Sequence, residues 1–156
     1  MERSGEKWCM LVGHYFGRLG AKKRTALPSR FRRELGKKVV VAQWYESCLV
    51  IVSYEQWEKI VSQIKNKTFL SSSLRDTDRF LLGNAYPVEL DSQGRFILPA
   101  SLVDYADLEE ELVFVGLFDR LEIWGKKGWQ ERQKYLKEHA GEIAEKLNQG
   151  NSQTSE

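Results

Sequence analysis

The sequence predicts a mixed α/β fold: a small pseudo-symmetric β-barrel made from two interleaved copies of one unit, with short helices on its rim. Three observations predict it. The chain of 156 residues repeats itself at an offset of 71, which aligns Leu11 with Leu82, Tyr15 with Tyr86, Leu19 with Leu90, Arg24 with Arg95 and Pro28 with Pro99. Each copy holds about four short strand-like runs, too few to close a sheet alone. Interleaving the copies closes a barrel and removes open edges. A hydrophobic fraction of 42% supplies the core.

The elements follow in order. The run from Met10 to Phe16 reads as a strand and leads into a loop at Gly20–Arg24. Thr25–Leu27 is a second short strand. Pro28 suits a first helical position, so Pro28–Leu35 reads as a helix with Phe31 and Leu35 inward and Gly36 ending it. Lys38–Gln43 and Leu49–Ser53 are β-branched runs joined by a tight turn at Tyr45-Glu46-Ser47, a hairpin. Ser53 with Gln56 forms a capping box ahead of Tyr54, Trp57, Val61 and Ile64 at helical spacing.

The second copy repeats this order. Ser71-Ser72-Ser73 caps a helix through about Leu82, Phe96–Leu98 is a strand and Pro99–Ala106 a short helix. Leu112–Leu117 pairs with Leu121–Trp124 around Phe118-Asp119-Arg120. A longer helix carries Trp129, Leu136, Ala140, Ile143 and Leu147 on one stripe. The expected division is a first repeat at 8–66, a second at 67–137, both in one pseudo-symmetric domain, and a C-terminal helix end with a disordered tail over 138–156.

Composition narrows the function. No apolar run approaches the ~20 residues that span a bilayer, and the N-terminus, with Glu2, Arg3, Glu6 and Lys7, lacks a signal-peptide core. A cytoplasmic protein with no membrane partner is expected. Cys9 and Cys48 have neither metal nor redox spacing and read as reduced, partly buried thiols. The net charge of +2 conceals an asymmetry of +8 over residues 1–80 and −6 over 81–156. Nine basic residues and one acid fall within 18–38. Such a field favours a polyanionic partner over a merely solvated face once the loops are considered. It also suggests head-to-tail assembly, the acidic half of one copy meeting the basic half of the next.

The two aligned loops carry the chemistry. Asp91-Ser92-Gln93-Gly94 fits a type I turn with Asp first and Gly fourth, the carboxylate accepting backbone N–H groups. Arg95 follows, so the turn sets a guanidinium in place, either for a phosphate or a guanine edge, or simply to pair with Asp91. In the first copy Gly20 replaces the acid and Lys23 the glycine, leaving Lys22-Lys23-Arg24 as three consecutive cations. Arg24 has no turn carboxylate to pair with, which favours a phosphate-facing role. Asp91 and Gly94 then read chiefly as structural turn residues.

His14 and His139 lie far apart with no obvious nucleophile, the acids Asp104, Asp107, Glu109, Glu110 and Glu111 read as a solvated loop, and no phosphate-loop, nucleophile-elbow or zinc-protease pattern occurs. No catalytic residue, metal site, cofactor or small-molecule substrate is expected.

The doubled motif resembles the MraZ family of bacterial transcriptional regulators. The second copy fits from Leu90-Asp91-Ser92-Gln93-Gly94-Arg95 through Leu98-Pro99 to Asp119-Arg120-Leu121-Glu122-Ile123-Trp124. The first keeps Ala21-Lys22, Arg24, Leu27-Pro28, Arg30-Phe31-Arg32 and the segment from Cys48-Leu49 to Trp57, departing at Gly20 and Lys23. The resemblance spans roughly residues 8–137. It implies a doubled, swapped-hairpin, AbrB-like fold and a repressor that binds double-stranded DNA repeats upstream of the division and cell-wall genes. It also implies a homo-oligomeric ring associated with the nucleoid. Its loop arginine carries over to Arg24 and, by the repeat, to Arg95. The expected DNA face is Lys22, Lys23 and Arg24 with Arg18, Arg30, Arg32 and Arg95. Arg24 is expected to make the specific contact while the lysines supply field. The alternative is an oligomeric structural protein whose basic face meets nucleic acid nonspecifically or a protein partner.

Overall fold

The computed structural model describes residues 10–67 and 69–154, with side chains through 150. The chain divides into two compact units, Met1–Lys126 and Lys127–Glu156. Cys9 and the charged N-terminal residues lie outside the described residues.

Among the described residues the first unit contains eight strands. Six form one sheet in the order β1 (Val12–Arg18), β7 (Glu111–Leu117), β8 (Leu121–Gly125), β4 (Leu49–Ser53), β3 (Lys38–Gln43), β5 (Ala85–Glu89). The other two, β2 (Arg24–Ala26) and β6 (Arg95–Ile97), pair only with each other. All the pairings are antiparallel. The copies exchange strands: β1 of the first pairs with β7 of the second, and β5 of the second pairs with β3 of the first. Their hairpins, β3–β4 and β7–β8, meet through β4 and β8 at the centre. The interleaving expected from the repeat is present.

The closed barrel is not. β1 and β5 end the six-stranded sheet, each paired on one side only. Closure fails because β2 and β6, three residues each, are consumed in pairing with one another and bridge nothing. The sheet carries the resulting edges as edges are usually carried. Pro87 lies in β5, where a missing N–H is tolerated, and Gly13 in β1 has a left-handed φ of +81°.

Strand alternation divides the burial. Val39, Val41, Leu49, Ile51, Leu112, Phe114, Leu121 and Ile123 share one core with Leu27, Phe31, Leu35, Phe96, Leu98 and Leu102. Phe96 lies in the β2–β6 ribbon, Leu27 and Leu98 directly follow its two strands, and Phe31, Leu35 and Leu102 come from helix α1 (Ser29–Leu35) and helix α4 (Ala100–Tyr105), so the ribbon is seated on that core. Pro28 and Pro99 cap the two helices rather than opening them, and Gly36 at φ +77° ends α1 by donating to the Arg32 carbonyl at 2.9 Å. On the sheet's other face Val40, Ala42, Val50 and Val52 pack with Trp57 and Ile60 of helix α2 (Tyr54–Lys65). Tyr54, expected on that stripe, is exposed. The Ser53 hydroxyl accepts the Gln56 N–H at 3.1 Å, and Ser71 caps helix α3 (Ser72–Leu81) through Leu74.

Among the described residues one acid is buried, at the central β4–β8 pair. Glu122 of β8, 8% exposed, stands opposite Val50 and accepts the Trp124 indole N–H at 2.9 Å. Burial raises its pKa above 4.5, opposed by the Trp124 hydrogen bond and by Arg120. Cys48 lies beside it, buried and free as a thiol, donating to the Tyr45 carbonyl. Burial, then the charge of Glu122, pushes that thiol up. With its pKa raised in the folded state, Glu122 holds its proton more tightly there than in the unfolded chain. Its contribution to stability is therefore greatest at low pH and falls as pH rises from about 4.5 through the folded value. Glu122→Gln, which keeps an acceptor for Trp124, is expected to raise the melting temperature at pH 7–8 and to bring no gain below pH 4. Melting curves across that range test it.

The second unit is carried by helix α5 (Lys126–Thr154). It runs on to Thr154, through part of the stretch expected as a tail, and no Pro interrupts it. Within it the Arg132 guanidinium lies 4.8 Å from the Tyr135 ring centre and His139 Nδ1 is 3.3 Å from a Glu142 oxygen. No described helix is long and apolar enough to cross a membrane.

Candidate nucleic-acid interface

The β2–β6 ribbon gathers the two motif loops. Arg24 pairs in register with Ile97, Thr25 with Phe96 and Ala26 with Arg95. Thr25 and Phe96 point into the core, and the other four residues are exposed. Side chains two apart on a strand, and those directly opposite, share a face. Arg24, Ala26, Arg95 and Ile97 therefore form one outward surface, with the Arg24 and Arg95 backbones about 8 Å apart from standard strand spacings. Two reciprocal bonds lock the ribbon to the turns: Leu27 N–H to the Gly94 carbonyl at 3.0 Å and Leu98 N–H to the Lys23 carbonyl at 2.9 Å. These are the same bond in the two copies.

The second-copy turn takes the expected form. Gly94 N–H donates to the Asp91 carbonyl at 3.0 Å, and Gly94 has φ +75°. One Asp91 oxygen accepts the Gln93 N–H at 2.9 Å and the Arg95 N–H at 2.8 Å; the other accepts Arg95 Nε at 2.8 Å. The Arg95 backbone N–H first, then its side chain, holds the Asp91 carboxyl down at about 2. Arg95 does pair with Asp91, yet through Nε alone, and the end of its guanidinium stays on the exposed face.

The first-copy turn is built differently. Arg24 N–H donates to the Ala21 carbonyl, Gly20 N–H donates to the Arg24 carbonyl at 2.7 Å, and Lys22 and Lys23 are both left-handed, at φ 60° and 58°. Two consecutive positive φ values define a type I′ turn, which favours Asn and Gly. Two lysines held there are strained, at roughly 1–2 kcal/mol each. Among the described residues Lys22, Lys23 and Arg24 form no side-chain hydrogen bond or ion pair. Lys23→Gly is expected to raise stability by about 1 kcal/mol while weakening nucleic-acid binding. The slope of log affinity against log salt should fall by about 0.9. Urea unfolding and a salt titration measure the two opposite effects.

The remaining predicted residues take other places. Arg18 ends β1, 3.7 Å from Glu110. Part of the acidic run is thus answered within the chain, as is Glu111, 3.3 Å from Lys126. Arg30 donates to the Tyr15 hydroxyl and lies over that ring, 5.0 Å from its centre. The matching pair in the second copy is Tyr86 with Ser101 at 3.3 Å, so this position ties helix to strand in both copies. Arg32 donates from Nε to the Leu27 carbonyl at 3.2 Å and lies directly over Gly94, where a Cβ would come within 2.4 Å of that nitrogen. It braces the second copy's turn from the first copy's helix.

Sequence reading passed over Ile97 and Ala26 as ordinary strand residues. The signal was the alternation itself: Phe96 between Arg95 and Ile97 turns both neighbours outward. Among the described residues no group of His, Cys, Asp and Glu is placed to hold a metal ion.

Comparison with known proteins also finds one unit twice in the sequence. The sequence model of a family described as "MraZ protein", antitoxin-like, fits the chain twice, at residues 10–80 and 81–149. The protein named transcriptional regulator MraZ of Thermoanaerobacter sp. (strain X514) is 37% identical over 138 residues, covering 88% of this chain and 96% of that one. Its namesake from Thermoanaerobacter pseudethanolicus is 36% identical and that from Caldanaerobacter subterraneus subsp. tengcongensis 35%, each over 91% of this chain and 99% of its own. With the family's unit matched in both halves and most of the chain aligned to full-length relatives, this chain belongs to the MraZ family.

Proposed function

We propose that the protein is a sequence-specific DNA-binding transcriptional regulator and not an enzyme. In this reading it acts in the cytoplasm, on the nucleoid, as a repressor of the division and cell-wall genes, and binds direct repeats in promoter DNA as a ring of identical subunits. The names of its relatives support a regulator. The observation that carries the DNA reading is the convergence of Arg24 and Arg95 on one exposed face of a two-stranded ribbon, with Lys22 and Lys23 beside it. An antiparallel ribbon fits the major groove of B-form DNA, where arginine pairs bidentately with guanine. Flanking lysines add phosphate contacts without sequence preference.

A three-residue ribbon reads few base pairs. Repeated subunits on repeated sites compensate, gaining on the order of 10²–10⁴ in avidity. The open edge of β1, with Val12 and Phe16 exposed, supports association between copies. A gel shift comparing duplex from upstream of the protein's own gene with a scrambled duplex tests this function. Preference for the native duplex at physiological salt is the expected result. Equal affinity would replace it with the alternative, an oligomer that holds nucleic acid nonspecifically, and no binding to either duplex would point to a protein partner.

A further inference from the structure

The two loops of the ribbon are not equivalent, and their difference divides the work of recognition. We propose that the second-copy turn reads base edges, Arg95 a guanine and Ile97 the 5-methyl group of a neighbouring thymine, whereas Lys22, Lys23 and Arg24 of the first copy hold the phosphate backbone. This rests on the DNA-binding reading above and deepens it.

A base-reading arginine has to arrive with its terminal nitrogens side by side, because guanine offers O6 and N7 as a fixed pair of acceptors. Asp91 takes Arg95 at Nε and at the backbone N–H together, which fixes both the base and the neck of the side chain. Among the described residues no partner takes the two terminal nitrogens of this half-exposed side chain, which leaves them for the ligand. Gly94 lets Arg32 press on the turn from above, and the Gly94 carbonyl is tied to Leu27. Asp91 and Arg32 are therefore positioning residues. Arg24 has no such brace among the described residues: its counterpart of Asp91 is Gly20, and no described side chain bonds to its guanidinium. An unbraced arginine directly after two exposed lysines suits phosphate, which accepts from many directions.

Ile97 supplies the second half. It is 54% exposed on the same face as Arg95, two residues along the strand. That spacing is about 7 Å, or two steps of a DNA strand at about 3.4 Å each. An exposed β-branched aliphatic beside a guanine-reading arginine contributes nothing to phosphate binding, while an apolar contact with the thymine methyl is an established mode of readout. Ala26, across from Arg95, is small enough to let the ribbon approach the bases.

The test is selection from a randomised duplex library with the wild-type protein and with Arg95→Lys, Ile97→Ala, Asp91→Asn and Arg24→Lys. The selected duplex is then rebuilt with deoxyuridine in place of thymidine. Expected for Arg95→Lys and Asp91→Asn is a tenfold or greater loss of guanine preference at one position. Arg24→Lys keeps the selected sequence. Removing the thymine methyl weakens wild-type binding several-fold at one position and leaves Ile97→Ala indifferent. An unchanged selected sequence for Arg95→Lys, loss of the guanine with Arg24→Lys, or equal tolerance of deoxyuridine by wild type and Ile97→Ala each overturns the proposal while leaving sequence-specific binding intact. If the wild type selects no sequence, the functional reading fails and the proposal with it.

Discussion

Replacing Arg24 and Arg95 together with alanine is expected to lower affinity for the protein's upstream DNA on the order of 10²–10³-fold, with the fold and the assembly unchanged. Each arginine contact with a guanine edge or phosphate is worth about 1–3 kcal/mol, and the two lie on one rigid ribbon. Neither guanidinium contributes to the core, since Thr25 and Phe96 are the inward residues. Losing Arg95 leaves Asp91 with its backbone donors, so the turn survives. Loss of binding accompanied by loss of the oligomer would mean that the arginines act in assembly instead. Fluorescence anisotropy alongside size-exclusion chromatography separates the two outcomes.

The largest effect on stability is expected at Phe114. This residue is fully buried in β7, paired in register with Tyr15 of the first copy's opening strand and with Ile123 of its own hairpin. Its ring fills the space that Gly17 leaves: a Cβ at that glycine would lie 2.4 Å from the ring. Phe114 thus sits where the copies exchange strands. Truncation to alanine should cost about 3–5 kcal/mol, a large share of the 5–15 kcal/mol that typically holds a domain together. Chemical denaturation should show a lower midpoint with the slope preserved. A loss below about 1 kcal/mol would mean that β1 is not anchored through this contact.

Much of this was legible before any coordinates. The repeat placed equivalent elements, the hydroxyls of Ser53 and Ser71 announced helix starts, and Asp91 with Gly94 announced a closed turn; each is a local signal. Interleaving was legible too, since neither copy has strands enough alone. Closure into a barrel was not: it depends on whether a three-residue strand reaches the sheet edges, and length alone does not settle which partner β2 takes. The left-handed Lys22 and Lys23 were hidden because lysine carries no turn signal. The task of Arg32 was hidden as well, because a basic residue in a basic stretch reads as surface charge, whereas its brace over Gly94 spans the two copies. Ile97 was visible only as one member of an alternating strand until burial of Phe96 fixed which side faces out.

On the function proposed above, the outward face of the β2–β6 ribbon is the DNA interface. Ala26 lies on that face directly across from Arg95 and makes no proposed contact of its own, so a carboxylate placed there tests the face rather than any one residue. Ala26→Glu should lose affinity for the upstream duplex by about 10²-fold or more, as a like charge facing phosphate costs several kcal/mol. The same charge placed on the exposed surface of α2, as Ser62→Glu, should change affinity by no more than about threefold, screened by salt and distance. Binding measured for both variants at one physiological salt concentration decides it: a selective loss with Ala26→Glu is the expected result, and unchanged binding by Ala26→Glu, or equal losses in both, would contradict it.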